Sequence, residues 1–159
     1  MPVPTNRLIS ALLLAIAVAL TSACASTATK REAVAVKIVA INDFHGNLDV
    51  PPEGLWVDDS EVPAGGTAHL ATLIEGMRAQ NRNFVFVSAG DLVGASPLLS
   101  ATFDDEPTIE AMNALGLDFS AVGNHEFDRG LPHLNRLQQG GCPAGGCKSG
   151  KPFGGAHFP

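Results

Sequence analysis

The stretch Val34-Ala35-Val36-Lys37-Ile38-Val39-Ala40-Ile41-Asn42-Asp43-Phe44-His45-Gly46-Asn47 passes directly from a β-branched apolar run into a cluster of Asp, His and Asn. Val34, Val36, Ile38, Val39 and Ile41 form the pattern of a buried strand. Asp43 and His45 then place an oxygen and a nitrogen donor just past its end. The same arrangement recurs twice. The apolar run 84–89 leads into Gly90-Asp91, and the run 119–122 leads into Gly123-Asn124-His125-Glu126.

Helical patterns separate these runs. Leu70, Leu73, Ile74 and Met77 fall at i, i+3, i+4 and i+7 on one helix face, with Thr67 as a candidate N-cap. A second helix is expected over about 107–115. Asp104-Asp105-Glu106 supplies negative charge at its start, Pro107 suits its first turn and Gly116 its stop. A third begins near Gly130, carries Leu131, Leu134 and Leu137, and ends at Gly140-Gly141. The order β-α-β-α-β-α predicts an α/β fold with a parallel sheet and right-handed crossovers. Sites in such sheets lie beyond the carboxyl ends of the strands, where all three polar strings fall. The segment 43–66, rich in Pro, Gly and acids, reads as a long loop of functional length.

The chain has 159 residues, 45% of them hydrophobic, enough for one domain or part of one and too apolar for disorder. Its net charge is −6 and no Lys/Arg cluster is present, which gives no support for binding a nucleic-acid polymer. An acidic protein can still take anionic substrates when metal ions supply local positive charge.

Residues 1–23 have a secretory layout, with Arg7, an almost wholly apolar stretch over 8–20, and small residues after it. Cleavage before Cys24 would leave a cysteine for lipid attachment, resembling a bacterial lipoprotein signal. Cleavage after Ala25 would release a soluble protein. The lipoprotein route accounts better for Cys24. Either route predicts an exported protein, in the cell envelope or beyond it. Residues 24–33 then form a linker, and 34–159 the folded part. In an exported chain Cys142 and Cys147, bracketing the turn-forming Pro143-Ala144-Gly145-Gly146, are expected to close a disulfide; a zinc knuckle is the alternative.

Taken singly, Asp43-x-His45 and Gly90-Asp91 read as strand-end turns. Taken together, three strands deliver Asp, His, Asp and Asn to one sheet edge. Asn42-Asp43-Phe44-His45-Gly46-Asn47, the octad from Gly90-Asp91-Leu92 to Ser96-Pro97, and Gly123-Asn124-His125-Glu126-Phe127-Asp128 resemble the first three metal motifs of the calcineurin-like metallophosphoesterases. The likeness is greatest to their exported bacterial 5′-nucleotidase branch, and it runs from about Val36 to the chain end.

The resemblance implies a partial β-sandwich core flanked by helices and two divalent ions, Mn²⁺, Zn²⁺, Mg²⁺ or Co²⁺. By that resemblance, Asp43 and His45 would bind the first ion, Asp91 would bridge the two, and Asn124 would bind the second. His125 would stabilise charge on the transferring phosphoryl group or leaving oxygen, oriented by Asp128. Two such ions, roughly 3.5–4 Å apart, clamp a phosphate for in-line attack by water. The implied activity is hydrolysis of nucleotides, with nucleotide-sugar or cyclic-nucleotide hydrolysis, or non-catalytic binding, as alternatives. The family completes its site with later histidines, in part through a Gly-His-x-His string, and with a nucleoside-gripping domain. Only His133 and His157 follow here, neither in such a string, so 34–159 is expected to be an incomplete N-terminal domain, weakly active or inactive alone. Beyond a nucleotide and a membrane reached through the lipid anchor, no protein partner is predicted. Glu126 is expected to support or pack rather than ligate, Asn47 and Asn113 to serve a turn and a helix surface, His133 to be solvated, and Trp56 to be partly buried.

Overall fold

Phe86 and its neighbours Ile74 and Met112 are fully buried, and the architecture is arranged around them. The computed structural model describes residues 31–52 and 54–159. The leader and Cys24 therefore lie outside the described residues. Ala35–Pro159 forms one unit.

Strand β1 (Lys37–Ile41) opens the unit. The segment expected as a long loop contains an antiparallel hairpin, β2 (Leu55–Val57) with β3 (Ser60–Val62). Trp56 lies on that hairpin and is 68% exposed, so the expected partial burial does not occur. Helix α1 (Thr67–Gln80) follows, then β4 (Phe84–Ser88). A short helix α2 (Leu98–Ala101), which the sequence pattern did not reveal, precedes α3 (Glu106–Leu115). Strand β5 (Phe119–Ser120), a 3-10 turn (His125–Phe127) and α4 (Leu131–Gln139) complete the order.

The main sheet has the order β1-β4-β5, and both pairings are parallel, as the β-α-β alternation predicts. The outer strands are shorter than their apolar runs. They are also less buried than expected, and the register gives the reason. Val39 lies opposite Phe86 and Ile41 opposite Ser88, and Val39, Ile41, Phe84 and Phe86 pack with Leu70, Ile74, Ile109 and Met112. Successive strand residues point to opposite faces. Ile38, opposite Val85, and Phe119, opposite Val87, therefore share the other face, and they are 64% and 58% exposed. Among the described residues the helices cover one side of the sheet; a second sandwich sheet is not among them.

Local chemistry departs from expectation at several helix ends. Gly66, not Thr67, occupies the N-cap of α1, while the Thr67 hydroxyl donates to the Leu48 carbonyl at 2.8 Å. Gly116 ends α3 in the left-handed conformation at φ 67°, as a helix-stopping glycine should. The acids 104–106 do more than favour a helix start. The Asp105 carboxylate accepts from Ser100 at 2.9 Å. Glu106 forms a buried pair with Arg136 of α4. Asp104 pairs with Arg129 and, at 3.0 Å, with Lys148. Lys148 follows Cys147, which is joined to Cys142 as a disulfide with Cα atoms 4.7 Å apart.

The chain's final residues are built into the core. Phe153 and Phe158 are buried beside Leu137. Asn113 leaves its expected surface role: its amide donates to the Gly155 carbonyl at 2.9 Å and its oxygen accepts from the His157 N–H at 2.7 Å.

Two outcomes follow from this packing. Phe86→Ala should cost about 3–5 kcal/mol in urea unfolding, since it opens a cavity at the sheet centre. Ile38→Thr, on the open face, should leave the unfolding midpoint nearly unchanged and raise solubility. Asp104 supplies a pH signature. Partial burial opposes ionisation, but hydrogen bonding and charge from Lys148 and Arg129 outweigh it and hold the carboxyl below its ordinary value of 3.8. A depressed carboxylate stabilises the fold fully above its unfolded value, and that share is lost as pH falls through the lower folded value. In acid-unfolding titrations Asp104→Asn should flatten the stability loss below about pH 4.

Candidate metal centre

Three loops after the three parallel strands meet at one end of the sheet; backbone hydrogen bonds join the first two, and side-chain hydrogen bonds of Glu126 and Asp91 tie in the third. The amides of Asp43, His45 and Gly46 donate in turn to the carbonyls of Gly90, Asp91 and Leu92, at 3.2, 3.0 and 2.9 Å. This ladder extends the β1–β4 pairing past the strand ends. It requires an unusual backbone. Asp43, His45 and Asp91 all have positive φ, at 50, 47 and 51°. Non-glycine residues reach that region at a cost, and such outliers gather at functional sites.

One donor atom each from His45, Asp91 and His125 lies within 4.8 Å of the others. The two imidazoles stand edge to face, 4.9 Å between centroids. His45 Nδ1–H donates to the Gly94 carbonyl at 2.9 Å, leaving Nε2 free; an Asp43 carboxylate oxygen lies 3.8 Å from that Nε2. His45 of the first string and Asp91 of the second thus come together with His125 of the third. Asn124 sits exposed beside His125, at the N-cap of the 3-10 turn.

His125 Nδ1–H donates to Asp128 at 2.7 Å. That hydrogen bond, opposed by some desolvation and reinforced by the carboxylates of Asp128, Asp91 and Glu126, raises the imidazole above its ordinary value. The pair fits tightly under the 91–97 loop. A Cβ on Gly94 would lie 2.7 Å from the His125 Cβ and 3.1 Å from an Asp128 oxygen, and Gly94 already has φ +83°. Glycine there lets the loop and the histidine approach.

Glu126 supports the site rather than ligating, as its sequence position led us to expect. It is 6% exposed, and its carboxylate accepts from three backbone amides: Leu92 at 2.8 Å, Asp91 at 3.0 Å and Gly123 at 2.5 Å. The sequence did not show which backbone groups it would hold, because Asp91 and Leu92 lie on another loop. Of the other candidates, the Asn47 amide donates to the Phe44 carbonyl at 2.7 Å in the expected turn role. His133 is half-buried rather than solvated. Burial, then Arg136 and Arg129, lower its pKa. It lines a hollow with His125, Asp128 and Arg129.

The arrangement offers imidazole nitrogens and carboxylate oxygens without thiolate, a donor set that suits borderline and hard divalent ions. A hydrogen bond fixing the far nitrogen of His45 is the usual support of a ligating imidazole. The donor chemistry therefore fits a divalent metal.

Comparison with known proteins agrees. The calcineurin-like phosphoesterase family matches residues 36–154. An Acinetobacter calcoaceticus protein described as "Uncharacterized protein in pqq-V 5'region" is 47% identical over 134 residues, covering 77% of this chain and 66% of its own length. The 2',3'-cyclic-nucleotide 2'-phosphodiesterase/3'-nucleotidase of Yersinia enterocolitica is 34% identical over 136 residues, covering 80% of this chain and 20% of its own. The structure of Haemophilus influenzae NAD nucleotidase superposes with a TM-score of 0.59 and 28% identity over 67% of this chain and 21% of that one. The chain thus spans a little under two thirds of the first relative and about a fifth of the second. With the matched region covering nearly all of the described residues, this chain belongs to the calcineurin-like phosphoesterase family.

Proposed function

We propose that this chain is the N-terminal part of an exported, metal-dependent phosphoester hydrolase acting on nucleotides. The observation that carries the reading is the meeting of His45, Asp91 and His125 from three separate loops, with Asp128 behind His125. The nucleotide class is supported by the nucleotidase and cyclic-nucleotide relatives, and export by the secretory layout of residues 1–23. Lipidation of Cys24 would place the protein on a membrane surface.

Asp43, His45, Asp91 and Asn124 are the proposed ligands for two divalent ions, Mn²⁺, Zn²⁺, Mg²⁺ or Co²⁺. Such ions, when bound, offset phosphate charge and make water a better nucleophile. Asp91 holds one carboxylate oxygen on the His125 N–H at 3.0 Å, which fixes the direction of the other. With its Nδ1–H held by Asp128, His125 in its protonated, imidazolium form would present Nε2–H to the leaving oxygen, and the Asp128 carboxylate stabilises that cation. Glu126 and Gly94 keep the donors in place.

Titration of the chain with Mn²⁺ should show binding that falls at least tenfold in Asp91→Ala and in His45→Ala. On whichever member of a panel of AMP, nucleotide sugar and 2',3'-cyclic AMP is cleaved, with the products followed by chromatography, His125→Ala should lower Mn²⁺-dependent cleavage about 10²–10⁴-fold and leave Mn²⁺ affinity within twofold. Mn²⁺ binding with no cleavage of any of these by an extended, full-domain version would favour a binding protein instead.

A further inference from the structure

We infer that Glu126 is a positioning residue that sets Asp91 and His125 in register, so that divalent-metal affinity depends on a side chain that is not itself a ligand. The inference rests on the proposed metal centre. Its physical basis is independent of any ion.

Glu126 belongs to the loop after β5, yet two of its three amide partners, Asp91 and Leu92, belong to the loop after β4. The third is Gly123 of its own loop. A buried carboxylate is costly unless its lone pairs are satisfied, and charged acceptors make the stronger backbone hydrogen bonds. Here three N–H groups converge on one carboxylate, so the two loops are tied at a single buried point. The backbone on both sides is constrained. Asp91 has φ 51°, and a Cβ on Gly123 would lie 2.1 Å from its Oδ1. The tie also reaches His125, because that Oδ1 accepts the His125 backbone N–H at 3.0 Å. Release of Glu126 would free Asp91 to leave its left-handed conformation. Its carboxylate would then rotate away from both His125 and His45.

Glu126→Gln keeps the shape and removes one oxygen acceptor. The experiment measures amide exchange of the full chain by NMR, together with Mn²⁺ affinity. In E126Q those of the Asp91, Leu92 and Gly123 amides that lose their oxygen acceptor should exchange at least tenfold faster, while those of α3 remain within twofold. Mn²⁺ should bind at least tenfold more weakly, and Glu126→Asp, too short to reach all three amides, should behave alike. Unchanged exchange at those amides would overturn the inference. So would faster exchange with unaltered Mn²⁺ affinity, which would make Glu126 structural only. If E126Q does not fold, the same criteria apply to E126D. A wild-type chain that fails to bind Mn²⁺ would instead overturn the metal centre and, with it, the claimed effect on affinity, while the exchange data alone would still show whether the tie exists.

Discussion

The polar end of this sheet depends on how closely the loops after β4 and β5 approach each other. A Cβ on Gly90 would lie 2.6 Å from the Gly123 nitrogen, and one on Gly123 would meet the Asp91 carboxylate. Two glycines remove the atoms that would hold the loops apart. Glu126 then supplies the acceptors for the amides that the approach buries. With the loops so joined, Asp91 and His125 come from different strands but are held together by hydrogen bonds. The β1 loop joins the same unit through its backbone ladder onto Gly90, Asp91 and Leu92.

Packing beneath the site serves that end. Phe86 anchors the central strand among Ile74, Ile109 and Met112, so β4 delivers Asp91 from the buried centre of the fold. The opposite face of the sheet remains apolar and open at Ile38 and Phe119. Polar contacts brace the periphery instead. Glu106 ties α3 to Arg136 of α4, and Asp104 gathers Arg129 and Lys148. Arg129 follows Asp128 directly, so this ion cluster flanks the residue that orients His125.

Much of this was legible in the sequence because its signals are local. Alternation of apolar runs with helical spacing gave the parallel order, and Gly116 gave the end of α3. The placement of Asp43, His45, Asp91 and His125 past strand ends follows from the same alternation. Other features required tertiary information. The exposure of Ile38 and Phe119 depends on helices packing on one side of the sheet, which period-2 apolarity cannot reveal. The roles of Asn113 and Glu126 depend on backbone groups brought from distant loops. The hairpin bearing Trp56 was hidden in a segment whose Pro, Gly and acids read as loop.

The three strand-end loops together make one proposed divalent-metal site. Anomalous diffraction from crystals of the chain grown with Mn²⁺ tests it most directly. A manganese peak is expected within coordination distance of an Asp91 carboxylate oxygen and a His45 nitrogen, with His125 still bonded to Asp128. Ordered His45 and Asp91 side chains without a peak between them, or manganese bound only elsewhere, would contradict it.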